Sequence, residues 1–375
     1  MKRYYYYCLL IAIVVQFVSC NDNTKNNRLP EIPVDILGNN SLPLSEIMDE
    51  VIAIELELTD ECLINPEHIR RIVLCDNYVI IAERDRIHMF GMDGKFVRPI
   101  GSKGRGPGEY MSIRNVAIDE SNKHLFVYST ISRKIICYDL NGKMLKESSN
   151  VQQIGIVDIN FINGELFLIA EQTREDIKGT FLRSAIYRLN DDFQITDSCI
   201  LRDKYGSSFY SINGYEDYLL YGNSIVYSYY YELVPPPNFM PSQTKTVLRD
   251  TLYRLEENQL FPELKLKFEN SKIFGSSGDL LIQLFNIYRS SRYIFAVYNN
   301  IPEKKQYHFC YDTKTGKGYN MQDGYTDDIH QIERRVIIRP LNSNTEFFYY
   351  WHTHIQPNDL EEPNPTLYIG KLKQI

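Results

Sequence analysis

IHMFGMDGKFV (87–97) and IICYDLNGKML (135–145) share one outline: an apolar run closing on an aromatic, an Asp/Asn-Gly-Lys turn, and a return strand. AIYRLNDDFQI (185–195), TLYRLEENQLF (251–261), HFCYDTKTGKG (308–318) and TLYIGKLKQI (366–375) follow it more loosely. The common aromatic falls at Phe90, Tyr138, Tyr187, Tyr253, Tyr311 and Tyr368, with 48 to 66 residues between successive copies. Self-similarity at such a period marks an architecture of stacked units.

Each copy follows an apolar strand: YVIIA (78–82), LFVYS (125–129), LFLIA (166–170), IVYSYYY (225–231), YIFAVY (293–298) and FFYYW (347–351). A further strand precedes each of these, as in IRRIVLC (69–75), NVAID (115–119) and IVDINFI (156–162). Helical spacing is absent, and short Tyr-, Val- and Ile-rich runs alternate with Asn, Asp and Gly turns. The pattern predicts an all-β fold, a six-bladed β-propeller. A solenoid or a sandwich is the alternative for the same strands. Few residues follow Tyr368, so the sixth blade would lack its outer strand, and VIAIELEL (51–58) is expected to fill that place and close the ring.

The glycine-rich IGSKGRGPGEYMS (100–112) invites a phosphate-binding reading. A Walker loop, however, runs GxxxxGK[ST] into a helix whose amides receive the phosphate. Here Lys103 precedes the core glycines, Pro107 removes an amide donor, and a strand follows. The stretch therefore reads as a tight connection between blades. Together with the upstream FGMDGKFVRPIG, it resembles the NHL-type blade, and more closely the six-bladed, TolB-like β-propeller lipoproteins of Bacteroidetes. That resemblance covers about residues 48–375, its Gly-Pro-Gly-Glu run occurs once, and it implies location and architecture more than chemistry.

MKRYYYYCLLIAIVVQFVSC (1–20) has a basic start and an apolar run too short to span a bilayer of about 30 Å. Phe17-Val18-Ser19-Cys20 resembles a lipobox, so 1–19 is expected to be a signal peptide and Cys20 the lipidated first residue. An ordinary secretory signal is the alternative. Residues 20–48 read as a flexible tether and 49–375 as the propeller. The membrane is thus an expected partner through the lipid anchor, and the expected location is the cell envelope, at the outer membrane. Without Lys2 and Arg3 the chain keeps 39 basic against 48 acidic residues, which argues against nucleic acid as a partner. Cys62, Cys75, Cys137, Cys199 and Cys310 form no CxxC pair and read as buried hydrophobes, with one disulfide possible. No cofactor is implied.

Long insertions at 171–184, 232–250 and 352–365 are expected on the rim that also carries the glycine loop, which suggests a binding face. Arg105 and Arg114 would engage an anionic group there, with Glu109 and Tyr110 beside them. Tyr231, Phe239 and Trp351 would stack on a ligand. His352 and His354, two apart, would face one side of an extended segment, half of a metal site with His330 or His308 as a guessed third ligand. DGYTDDIH (323–330) holds three carboxylates without the spacing of an EF-hand. The leading expectation is an anchored protein that binds a ligand or an envelope protein, with no catalysis assigned. The alternative is a glycan hydrolase or lyase using carboxylates at the channel, with calcium as an option.

Overall fold

The computed structural model describes residues 29–38, 41–148, 155–205, 218–229, 248–270, 272–276, 280–354 and 363–375. Within the unit Glu31–Ile375, strand β1 (Glu31–Asp35) and the helical turn α1 (Leu44–Ile47) lead into β2 (Met48–Glu55). Ile32, Val34, Leu42, Leu44 and Ile47 are buried, so part of the 20–48 stretch packs on the sheets.

Four antiparallel sheets of four strands follow the repeat. They are β3–β6 (Ile69–Cys75, Tyr78–Glu83, Ile87–Gly91, Phe96–Pro99) and, after the short β7 (Ser102–Lys103) and β8 (Glu109–Tyr110), β9–β12 (Ile113–Asp119, His124–Ser129, Lys134–Asp139, Met144–Ser148). The third is β13–β16 (Gly155–Ile162, Glu165–Asp176, Gly179–Leu189, Ile195–Tyr205). Strands β17–β20 (Leu219–Gly222, Ile225–Ser228, Thr251–Glu256, Gln259–Glu269) come next in the chain. The fourth separate sheet is β21–β24 (Ile282–Arg289, Tyr293–Asn300, Lys305–Asp312, Lys317–Gln322). A two-stranded hairpin, β25 (Tyr325–Asp327) and β26 (Ile332–Val336), then leads to β27–β29 (Arg339–Leu341, Asn344–His352, Thr366–Leu372).

The expectation of six blades closed into a ring is corrected by this topology. The strands assigned to a fourth and a sixth blade belong to one nine-stranded sheet, ordered β1-β20-β19-β18-β17-β28-β29-β2 with β27 on β28. Among the described residues four separate four-stranded sheets remain, arranged like a loose propeller, and no sheet closes into a ring or barrel. The cause is a contact that no repeat alignment can see. Tyr221 pairs in parallel with Asn344, its N–H donating to Ser343 O at 2.7 Å, and Thr345 Oγ1 donates to the Arg289 carbonyl at 2.6 Å. Gly222 permits the approach, because a Cβ there would lie 2.0 Å from Thr345 Oγ1. At the other margins β1 adds to β20 in parallel, and β2 pairs antiparallel with β29.

The 171–184 insertion, expected as a loop, continues the ladder of β14 and β15 to a turn between Asp176 and Gly179. A bidentate Arg183–Asp203 pair at 2.7 Å and the Phe181–Tyr205 rings at 5.0 Å hold β16 against this extension.

Apolar side chains on both strand faces fill the spaces between neighbouring sheets. Val73, Ile80 and Ile87 meet Val116, Val127 and Ile136 in one such layer, for example. The five cysteines from Cys62 to Cys310 are buried and free. His308 on β23 is buried as well, its Nε2 without a hydrogen-bond partner, and burial holds its imidazole down at about 4. In the unfolded chain it titrates at about 6.5. Between those values the unfolded state takes up a proton that the folded state refuses, so this group makes stability rise with pH across that window. The expected gain from acid to neutral is about 3 kcal/mol. His308→Phe should flatten that part of the profile in urea unfolding between pH 4 and 7. An unchanged profile would refute the assignment.

Candidate functional site

The glycine loop is consumed by its own turn. The Glu109 carboxylate accepts the Gly106 N–H at 2.8 Å and lies where a Cβ on Gly104 would fall, 2.0 Å from Oε2. Tyr110 is buried and donates to Ile100 O at 2.9 Å, and burial pushes its phenol well above the ordinary value. Tyr138 Oη donates to Gly108 O, and Lys134 Nζ to Gly106 O. Gly101 adopts φ +67° against the rings of Tyr110 and Tyr138, which leaves no room for a side chain. Arg105 is exposed and without a hydrogen-bond or ion-pair partner among the described residues.

A second cluster lies where the first strands of the sheets meet. In β3, β9, β13 and β21 a bulge precedes Arg71, Asn115, Asp158 and Asn286, four buried polar residues in otherwise apolar strands. A bulge sets two residues opposite one and re-aims the side chain that follows. Arg71 donates to Val116 O, Ile159 O and Asn160 Oδ1 at 3.1–3.2 Å and pairs with Asp158 at 3.4 Å. Asp158 also accepts from Asn115 Nδ2, Asn160 Nδ2 and the N–H groups of Ile159 and Tyr218. Arg114, the bulged residue of β9, donates from Nε to Val157 O, the bulged residue of β13. Arg71, Asn115, Asp158 and Asn160 thus bond to one another inside the protein and join the sheets of β3, β9 and β13.

The open site is a cleft of about 1070 Å³. One wall is residues 58–67, a second is Arg334, Arg335 and Val336 on β26, and the third is Trp351, His352 and Thr353 at the end of β28. The 58–67 wall is pinned from behind. The buried Asn364 accepts the Ile64 N–H at 2.7 Å and donates to the carbonyls of Glu57 and Cys62, while Glu83 accepts the Asn65 N–H at 2.9 Å. Burial, aided by Glu83, drives the Cys62 thiol up to about 12.

On the strand side the Arg339 guanidinium lies 5.0 Å from the Trp351 ring, and Tyr349 stacks beside it at 6.1 Å. Arg335 bonds to Ser41 and Thr326, whereas the exposed Arg334 has no partner among the described residues. The His352 and His354 rings meet edge to face at 4.6 Å, and His354 Nε2 lies 3.1 Å from Tyr368 Oη. Partial burial, then the neighbouring His354 and Arg334, lowers the His352 imidazole below its ordinary value. Among the described residues no three His, Cys, Asp or Glu side chains are grouped to hold a metal ion.

Of the residues singled out in the sequence, Trp351 and His352 enter the cleft, with His354 adjoining them in the chain. Arg105, Glu109, Tyr110 and Arg114 are absent from its lining. Segment 1–19, Cys20, Tyr231 and Phe239 lie outside the described residues. The expected membrane partner through Cys20 thus lies outside them as well, and among the described residues no helix is long and apolar enough to cross a membrane. Sequence reasoning passed over Arg334 and the 58–67 wall. Arg334-Arg335 in IERRV was the visible signal, a doubled cation between two apolar residues.

Residues 29–375 match the family described as Domain of unknown function (DUF4934). The chain belongs to the DUF4934 family. This corrects the relation drawn to NHL-type, TolB-like propeller lipoproteins, because the matched family carries none of those names and no lipoprotein or signal-peptide assignment. The Gly-Pro-Gly-Glu run behind that resemblance serves the local turn built on Glu109. No curated protein matches the DUF4934 chain.

Among solved structures, a Bacteroides fragilis NCTC 9343 protein whose description includes the words "exported protein" is similar at TM-score 0.63 and 17% identity, over 92% of this chain and 100% of its own. A Bacteroides vulgatus ATCC 8482 member of the DUF4221 family aligns at TM-score 0.46 and 10% identity, covering 87% and 97% of the two chains. An oligogalacturonate lyase in complex with manganese reaches TM-score 0.39 at 12% identity, with 81% and 90% covered. The first shows a shared fold, and the other two likenesses are too slight to carry an argument.

Proposed function

We propose that this DUF4934 protein is a binding protein of the cell envelope that takes its ligand into the cleft between residues 58–67, β26 and the end of β28. The observation that carries the reading is the meeting of Trp351 with the unpartnered Arg334 in a preformed space of about 1070 Å³. Ligand sites are concave, largely preformed, and combine aromatic surface with a few polar groups that fix orientation. The wall at 58–67 is held by buried hydrogen bonds and needs no ordering when a ligand arrives, which lowers the cost of binding. The fold shared with a protein described as exported supports placement outside the cytoplasm.

Trp351 is the one tryptophan of the chain, so intrinsic fluorescence reports on this cleft directly. A panel of oligosaccharides and peptides titrated into the full chain should include a ligand that shifts that emission. Arg334→Ala should weaken it by about tenfold or more, and Arg105→Ala should leave it unchanged. Ligands that bind the chain without moving Trp351 emission, and with full affinity for the Arg334 variant, would overturn the reading. Envelope placement is tested separately by cell fractionation, where recovery in the cytoplasm would refute it.

A further inference from the structure

The lining of the cleft has a geometry that a generic pocket lacks. Successive side chains on a strand point to opposite faces. Three consecutive residues of β26, Arg334-Arg335-Val336, and three of β28 and its continuation, Trp351-His352-Thr353, nevertheless line the same space. That fits a cleft that opens along the strands' edges and around their ends instead of over one face. The pairing agrees. β26 pairs with β25 alone, and its other edge has no strand among the described residues. β28 is paired on one side by β29 as far as His352, but β27 covers its other side only as far as Tyr349, opposite Arg339. β26 and β28 belong to different sheets, and residues 337–338 between β26 and β27 are in no strand. Two strand edges with unfilled backbone positions bound one cleft.

We infer that the ligand of this cleft is an extended segment of a partner protein, which adds as a strand to the free edge of β26 and places a carboxylate side chain at Arg334. The inference rests on the binding reading above and names its ligand class. Strand addition takes affinity from backbone hydrogen bonds and specificity from pockets for alternate side chains. The cleft supplies both parts. Beyond the free edge, Trp351 and the exposed Leu63 offer apolar contact, and Arg334 offers an unpaired cation in a chain of net charge −7. Asp60 and Glu67 on the facing wall make the cleft bipolar. That suits a peptide, which carries donors and acceptors along its length, better than a uniformly anionic glycan. Free edges are ordinarily shielded because they recruit other chains. Here the edge borders a cleft of about 1070 Å³ walled by residues 58–67 and the end of β28.

The test uses the full chain and a peptide of about nine residues alternating Val with Asp, long enough to overhang β26 at ~3.3 Å per residue. Its partner is the same peptide N-methylated at alternate amides, once in each phase. Titration should shift Trp351 emission, and Arg334→Ala should weaken binding by about tenfold or more. One methylation phase should abolish binding while the other is tolerated, since only one edge of the added strand faces β26. Equal binding of both methylated forms overturns strand addition, and so does silence of Trp351 up to about 1 mM peptide. An acidic oligosaccharide that shifts Trp351 emission and is lost in the Arg334 variant would also remove the peptide inference, yet leave the cleft as the binding site. If neither peptide nor oligosaccharide moves Trp351 and binding maps elsewhere, both readings fall.

Discussion

Asp158→Ala is expected to destabilise the protein by about 3–5 kcal/mol, the cost of removing one partner from a buried ion pair. Asp158 is 1% exposed and its carboxylate gathers groups from several sheets. They are the Arg71 guanidinium from β3, the Asn115 amide from β9, the Asn160 amide and Ile159 N–H from β13, and the Tyr218 N–H ahead of β17. Alanine strands a buried guanidinium and four neutral donors together, and each unsatisfied buried donor adds its own desolvation cost. Arg71→Met should cost less, because the carboxylate then keeps all four neutral donors. Urea unfolding followed by circular dichroism measures both. Asp158→Ala within about 1 kcal/mol of the parent would show that the cluster contributes little net stability, as buried pairs sometimes do when they are replaced whole.

The polar residues of that cluster were in plain view as interruptions of apolar strands, Arg71 in IRRIVLC and Asp158 in IVDINFI. Their partners were not, because bulges in strands 43 to 89 residues apart bring them together. The same division runs through the whole fold. Hairpins such as β4–β5 and β10–β11 were legible because alternation and turn chemistry are local signals. The parallel contact of Tyr221 with Asn344, which merges two expected blades into one sheet, depends on a glycine and a threonine 123 residues apart meeting at Gly222 and Thr345. Nothing in either stretch announces it. The site divides similarly. Trp351 and His352 stood out as unusual residues at the end of a strand, whereas an Arg pair on a short strand reads as a solvated face until β26 is seen to share a cleft with the end of β28. The glycine loop drew notice by composition, yet Glu109 and Tyr110 spend their polar groups on their own turn.

Loss of β2 should be more damaging than any point substitution. Its register with β29 runs from Met48 opposite Leu372 to Glu55 opposite Thr366, and it is continued by Lys373 N–H donating to Ile47 O at 2.9 Å. Met48, Ile54 and the following Leu56 are buried, the last two against Ile72, Val79, Leu367 and Ile369. Fully buried side chains of this size contribute about 1.5–3 kcal/mol each. Three of them approach the whole of a typical net stability of about 5–15 kcal/mol, before the ladder of backbone bonds is counted. Deleting residues through Leu56 is therefore expected to leave a chain that is unfolded or melts at least about 10 °C lower. The bared edge of β29 should also promote aggregation. Deletion only through Gly38 removes β1, with Ile32 and Val34 as its buried side chains, and should cost distinctly less. A synthetic peptide of residues 44–58 added to the longer deletion should restore part of the lost melting temperature by re-forming the pair with β29. If the longer deletion melts like the full chain, or the peptide has no effect on it, then β29 does not depend on β2, and the nine-stranded sheet draws its stability from the Tyr221–Asn344 junction instead.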